Sequence, residues 1–163
     1  MRTIIGVMGA GHADAATCAL ARELGSAIAA RGWVLLNGGR DSGVMAASAE
    51  GASAMGGLVV GILPGDDHSG IAPGVDLAVL TGMGDARNVI NVLSSHVVVA
   101  LQGGAGTLSE IAHALNSRRP VVVIGWDPGE HPRRIGGERL AVVPDVSSGL
   151  AAIERFLEAS KIP

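Results

Sequence analysis

Aromatic residues are nearly missing from this chain of 163 residues, which has two Trp, one Phe and no Tyr. Packing therefore falls to aliphatic side chains, alanine and 25 glycines, a composition suited to close contacts between helices and a sheet. Cys18 is the only cysteine, which excludes an intrachain disulfide, a CxxC redox pair and a thiolate zinc site. The only lysine is Lys161, in the C-terminal tail. A P-loop needs an internal lysine and a pyridoxal-phosphate enzyme needs one in a pocket, so both classes drop out. Basic charge is scarce as well: the formal net charge is −3, which argues against binding to nucleic-acid polymers or membrane surfaces. No apolar run approaches the roughly 20 residues of a membrane-spanning helix. The short run Thr3-Ile4-Ile5-Gly6-Val7-Met8 leads straight into a loop and a helix pattern, and so reads as a first strand rather than a signal peptide. A cytoplasmic protein is expected, with residues 1–163 forming one domain large enough to bury a core.

The stretch from Val97 to Glu110 organises what is present. Val97-Val98-Val99-Ala100-Leu101 is apolar without alternation, the pattern of a parallel strand covered on both faces. Gln102-Gly103-Gly104-Ala105-Gly106 follows, and its glycines let backbone turn sharply and approach a ligand. A helix then begins, and its unpaired N–H groups and positive dipole end form a seat for phosphate. Thr107 and Glu110 have the spacing of a capping box, Thr as N-cap and Glu at N3. Glu110 is thus either a cap or a carboxylate available for chemistry.

Strand and helix patterns alternate along the chain. Strands are expected at Ile4–Met8, Trp33–Leu36, Leu58–Leu63, Val75–Leu80, the central Val97 run, Pro120–Gly125 and Leu140–Val143. Helices are expected from an Asp14 cap to Ala30, over Val44–Met55, from an Asp85 cap to Leu93, over Thr107–Ser117 and over Ser148–Ala159. Pro64–Gly74 and Trp126–Gly137 read as loops. The alternation predicts an α/β fold, a doubly wound, Rossmann-like parallel sheet with helices on both faces. Its carboxyl edge carries the loop after Val97–Leu101 and a second glycine loop, Asn37-Gly38-Gly39-Arg40-Asp41-Ser42-Gly43. Gly9-Ala10-Gly11 ends the first strand at the same edge, but the full GxGxxG dinucleotide fingerprint is not there.

Two arginines stand out. Arg87 falls in the first turn of its helix, where a cation opposes the macrodipole, and reads either as a guanidinium turned toward an anion or as a solvated charge. Arg40 is either a ligand contact or a partner for Asp41, and Ser42 can cap the following helix. The five histidines (12, 68, 96, 113 and 131) show no metal-ligand spacing, and no metal site is expected. Asp66-Asp67-His68 reads as a solvated acidic loop, and no GxSxG elbow supports a serine triad.

Gln102-Gly103-Gly104-Ala105-Gly106-Thr107-Leu108-Ser109-Glu110 resembles the PGGxGTxxE signature of the LOG-type proteins, long mislabelled lysine decarboxylases. Asn37-Gly38-Gly39-Arg40-Asp41-Ser42-Gly43-Val44-Met45 resembles their first glycine loop, and Thr81-Gly82-Met83-Gly84-Asp85-Ala86-Arg87-Asn88 the segment carrying their active-site arginine. Within the superfamily, the NGGRD and GMGxARN wording looks most like the molybdenum cofactor carrier branch. In the phosphoribohydrolase branch a Lys follows the Arg and the second loop begins with Pro, where this chain has Asn88 and Gln102.

The resemblance implies a phosphate seat on Gly103, Gly104, Ala105, Gly106 and Thr107, with Gly38, Gly39 and Arg40 beside it, and paired roles for Arg87 and Glu110. As a carrier, the chain would hold the phosphate-bearing pterin of molybdenum cofactor without turning it over. As a hydrolase, it would cleave a nucleoside 5′-monophosphate, such as a cytokinin riboside monophosphate, to base and ribose 5-phosphate. A nucleotide-sensing domain is a third reading. The resemblance further implies a homodimer or higher homo-oligomer, with the site near a subunit contact.

Overall fold

The computed structural model describes residues 1–160, so Lys161 lies outside the described residues. Its strands are β1 (Ile4–Met8), β2 (Val34–Asn37), β3 (Val59–Leu63), β4 (Leu77–Leu80), β5 (Val97–Ala100), β6 (Val121–Ile124) and β7 (Leu140–Val143). They alternate with α1 (Ala15–Ala30), α2 (Gly43–Ala54), α3 (Asn88–Leu93), α4 (Ala105–Asn116), α5 (Glu130–Gly136) and α6 (Val146–Ala159). The seven strands pair in parallel, in the order β4-β3-β2-β1-β5-β6-β7. The chain winds outward from β1 to β4, then returns to β5 on the other side of β1. That reversal opens a crevice beyond the carboxyl ends of β1 and β5, where doubly wound sheets bind ligands.

Helices cover both faces, as the unbroken apolar strands require. Val97 and Val99 of β5 join one core with Leu24 and Ile28 of α1, Val44 of α2 and Ile153 of α6. Val98 and Ala100 point the other way, into a core with Val92 of α3 and with Ile111 and Leu115 of α4. Small residues do bring the helices close: a Cβ on Gly25 of α1 would fall 2.1 Å from the Ser48 carbonyl oxygen of α2. Asp14 caps α1 as anticipated, its carboxylate accepting from the Thr17 N–H at 2.7 Å. Among the described residues, no helix is long and apolar enough to cross a membrane.

Four local expectations are corrected. Helix α4 starts at Ala105, two residues before Thr107, with Gly104 at the N-cap and no side-chain cap. The capping box is therefore not formed: Thr107 already lies inside the first turn. Asp85 caps no α-helix; Gly84–Arg87 is a 3₁₀ turn, and α3 begins only at Asn88. The expected loop from Trp126 to Gly137 contains α5, disguised by Gly129 and Pro132 but carrying Glu130 in its first turn and Arg133 and Arg134 in its last. Strand β4 is shorter than Val75–Leu80, because Val75 N–H closes a turn onto the Ala72 carbonyl. The Asp76 carboxylate instead accepts from the Val59 N–H at 2.8 Å.

Candidate functional site

Three loops converge on the crevice, and hydrogen bonds fix each against the next. The Ala10 N–H after β1 donates to the Gln102 carbonyl after β5 at 3.1 Å, and the Val44 N–H of α2 donates to the Ala10 carbonyl at 3.0 Å. The first glycine loop is shaped by Asn37, which is fully buried. Its Oδ1 accepts from the Gly39 N–H at 2.8 Å, while its Nδ2 donates to the Met45 carbonyl at 2.9 Å and to Ser48 Oγ at 3.0 Å. This accounts for an asparagine at the end of an otherwise apolar strand.

The loops enclose a cavity of about 170 Å³, lined by Gly9, Gly11, Gly38, Gly104, Thr107 and Glu110 among others. Gly104, Gly106 and Thr107 bring the uncapped start of α4 to its wall. Leu108 N–H bonds back to the Gly104 carbonyl at 3.1 Å, and the N–H groups of the preceding turn have no acceptor within the helix. Arg87, Asn91 and Glu110 also line it.

These three side chains carry the electrostatics. Arg87 is only 7% exposed, and its Nη1 donates to the Gly38 and Ile62 carbonyls. A Cβ on Gly38 would lie 2.5 Å from Nη1, so only glycine admits the guanidinium there. Burial pulls the Arg87 guanidinium below its ordinary value, against the opposing pull of the Glu110 charge. Glu110 is 7% exposed, and Asn91 Nδ2 donates to its Oε1 at 3.1 Å. Burial pushes the Glu110 carboxyl up to about 7, although Asn91 and Arg87 both favour the charged form. Among the described residues, Arg87 Nε and Asn91 Oδ1 are buried without a hydrogen-bond partner. The residues around the cavity thus include an unpartnered donor, an unpartnered acceptor and a carboxyl that burial brings to about 7. Such a set can bind a polar ligand or move a proton.

A sequence profile of the SLOG cluster4 family matches residues 2–146. The chain belongs to that family. Its similarity to solved structures runs the full length: a molybdenum cofactor binding protein from the phototrophic bacterium Rippkaea orientalis is 40% identical at a TM-score of 0.93, over 96% of this chain and 98% of that one. A Moco carrier protein from Chlamydomonas reinhardtii is 40% identical at a TM-score of 0.92, over 98% of this chain and 99% of that one. The chain is also 34% identical over 125 residues to a cytokinin riboside 5′-monophosphate phosphoribohydrolase of Mycobacterium tuberculosis, which covers 69% of this chain and 63% of that protein. The LOG-like membership expected from the three motifs is thereby shown.

In this SLOG cluster4 protein the sequence-predicted residues separate into two sets. Arg87, Glu110, Gly38, Gly104, Gly106 and Thr107 meet at the one cavity, as do Gly9, Ala10 and Gly11. Gly103 lines an adjoining hollow instead. Gly39, Arg40 and Ala105 do not line the cavity. Gly39 backs onto Gly61 of β3, and Arg40 is exposed, its backbone bridged to Ile71. Arg40 and Asp41 form no salt bridge among the described residues. The solvated reading of Arg87 is overturned by its burial. Asn91 was missed. Its signal was legible, because a lone asparagine in Val89-Ile90-Asn91-Val92-Leu93 stands four residues after Arg87 and so shares its helical face.

Proposed function

We propose that this chain is a cytoplasmic, single-domain carrier for a phosphate-bearing pterin of the molybdenum cofactor type. The observation that carries the reading is the uncapped start of α4, set beside buried polar atoms that have no partner. Phosphate would accept from the N–H groups of Gly104–Thr107, and the polar ring would engage Arg87 Nε, Asn91 Oδ1 and Glu110. Whole-length similarity to molybdenum cofactor binding and carrier proteins supports the same class of ligand. Holding rather than cleaving is favoured by the cations available. Arg87 is tied to two backbone carbonyls, and Asn88 lines the cavity where the hydrolase branch carries a lysine.

One observation supports a second reading, a nucleoside 5′-monophosphate phosphoribohydrolase: a buried carboxyl titrating near 7 is suited to general base work. Water would bond to the sugar C1′ as the C1′–N bond breaks. Its proton would pass to Glu110, and the bonding pair would leave with the base, which is then protonated.

Chromatography after incubation with a panel of nucleoside 5′-monophosphates separates the two. The carrier reading expects no released base from protein that still retains a phosphate-bearing pterin. Release of base that disappears in Glu110→Gln would replace it with the hydrolase.

We also infer a homo-oligomer. Leu77 and Val79 of edge strand β4 are exposed and pair in register with Val60 and Ile62, which places them on the α3 side of the sheet. Val89 and Leu93 of α3 are exposed as well. An apolar strip beside an open site fits a second copy of the chain.

A further inference from the structure

Asn91 is the lone polar side chain in Val89-Ile90-Asn91-Val92-Leu93, and it is only 1% exposed. Its Nδ2 donates to Glu110 Oε1 and so ties α3 to α4. A strut between two helices needs no amide. A leucine of similar volume would pack there without leaving a buried oxygen unpaired, whereas Asn91 Oδ1 has no partner among the described residues. The amide is therefore kept at a cost to the free protein, and its one side-chain contact is with Glu110.

Glu110 has no cation of its own. Among the described residues it forms no salt bridge, and Arg87 Nη1 is given to the Gly38 and Ile62 carbonyls instead. Asn91 is thus the group that fixes the carboxyl. It takes Oε1 and leaves Oε2, which has no partner among the described residues and is not enclosed, open to the cavity that Glu110 lines. A carboxylate held in this way only accepts hydrogen bonds. Oε1 keeps a second lone pair, so two adjacent N–H groups of a ring can meet both oxygens, as a guanidinium meets a carboxylate. The 2-amino-4-oxo edge of a pterin carries such a pair, the ring N–H and the amino group beside it. A carbonyl in place of that amino group would set lone pair against lone pair.

We propose that Asn91 is a positioning residue, which holds Glu110 as a hydrogen-bond acceptor in the cavity and thereby selects a ring with an amino group beside a ring N–H. Asn91 does this through Glu110, and Glu110 touches the ring. This rests on the carrier reading and adds to it the edge by which the ring is read.

The test measures dissociation constants by titration calorimetry for two probes, 6-hydroxymethylpterin phosphate and its lumazine counterpart, which carries a carbonyl where the pterin has its 2-amino group. The wild-type protein should bind the pterin at least about tenfold more tightly. In Glu110→Gln the side-chain oxygen still accepts from Asn91, so an amide N–H₂ faces the cavity in place of Oε2, and the preference should reverse to favour the lumazine by about threefold or more. Asn91→Leu releases the carboxyl and should bring the ratio of the two affinities close to one, chiefly by weakening the pterin. If that variant does not fold, the reversal in Glu110→Gln decides alone, because it too depends on Asn91 keeping hold of the oxygen. Equal affinity of the wild type for both probes, a preference unchanged in Glu110→Gln, or a loss shared equally by both probes in Asn91→Leu, as a mere strut would give, overturns the inference while the carrier reading stands. Binding of neither probe by folded protein overturns the carrier reading, and this inference with it.

Discussion

Replacing Glu110 by Gln should make the protein more stable, and only above a particular pH. Burial raises the carboxyl from 4.5 to about 7, while Gln keeps an oxygen to accept from Asn91 and cannot ionise. Below pH 4.5 the carboxyl is protonated in both the folded and the unfolded chain, and burial of its charge costs nothing. As pH rises toward 7 the unfolded chain releases the proton while the folded chain retains it, so folding stability falls with pH. Above about 7 the folded protein holds a buried carboxylate and the loss is complete. A shift of that size corresponds to roughly 3 kcal/mol. For a chain of this length that is a rise in Tm of roughly 6–12 °C for the variant at pH 8.

Denaturant unfolding of both proteins at intervals between pH 4.5 and 8.5 reads this directly. The difference in stability should be near zero at the acid end and grow through neutrality. Asp14, Glu50, Asp67, Asp127 and Asp145 are held low by caps or arginines and weaken the fold in acid. They do so equally in both proteins and cancel in the difference. A constant offset across the range, or a variant less stable at pH 8, would refute the burial argument for Glu110.

Three other outcomes test the site. Gly104→Asp places a capping carboxylate over the α4 N–H groups; phosphate-ester binding should be lost while stability holds or rises by a few tenths of a kcal/mol, and unchanged affinity in titration calorimetry would remove the anion seat. Arg87→Ala strips the donor from the Gly38 and Ile62 carbonyls and should cost about 2–4 kcal/mol in denaturant unfolding. The same change should move the Glu110 titration higher, since the Arg87 charge holds it down; a carboxyl carbon shift that titrates as in the wild type would contradict this. Leu93→Asp should convert an oligomer to folded monomers by light scattering, whereas a monomeric wild type would dismiss the apolar strip as an interface.

The frame was legible because its signals are redundant. Unbroken runs such as Val97–Leu101 declare a sheet buried on both faces, and Asp14 before Ala15-Ala16-Thr17 declares a helix start whose geometry the structure reproduces. The start of α4 was misplaced for the opposite reason. Thr107 and Glu110 satisfy a local rule that tertiary contacts override, since α3 stands against α4 and Asn91 takes the Glu110 carboxyl for itself. Arg87 drew notice as a misplaced cation, but no local pattern reveals that its acceptors are carbonyls of residues 38 and 62, in other segments of the chain. Arg40 was overvalued because a loop at the binding edge does not fix the direction of its side chains.

The misjudged α4 start also explains why the site lies where it does. Helices α1 and α6 each begin on an aspartate that accepts from the first turn, at Thr17 and Ser148. At α4 a glycine stands in that position, and the glutamate that could have completed a cap is turned into a low-dielectric cavity instead. An uncapped helix, a carboxyl with a raised pKa and two unpartnered polar atoms are four departures from what stability alone would select. Starts with no side-chain cap occur at α2, α3 and α5 as well, but the carboxyl and the two unpartnered atoms belong to residues that line one crevice, where the winding of the sheet reverses. A ligand that accepts from α4, donates to Asn91 and accepts from Arg87 would relieve most of them at once. On the carrier reading proposed above, the stability this fold gives up in its free form would be available as affinity for such a ligand.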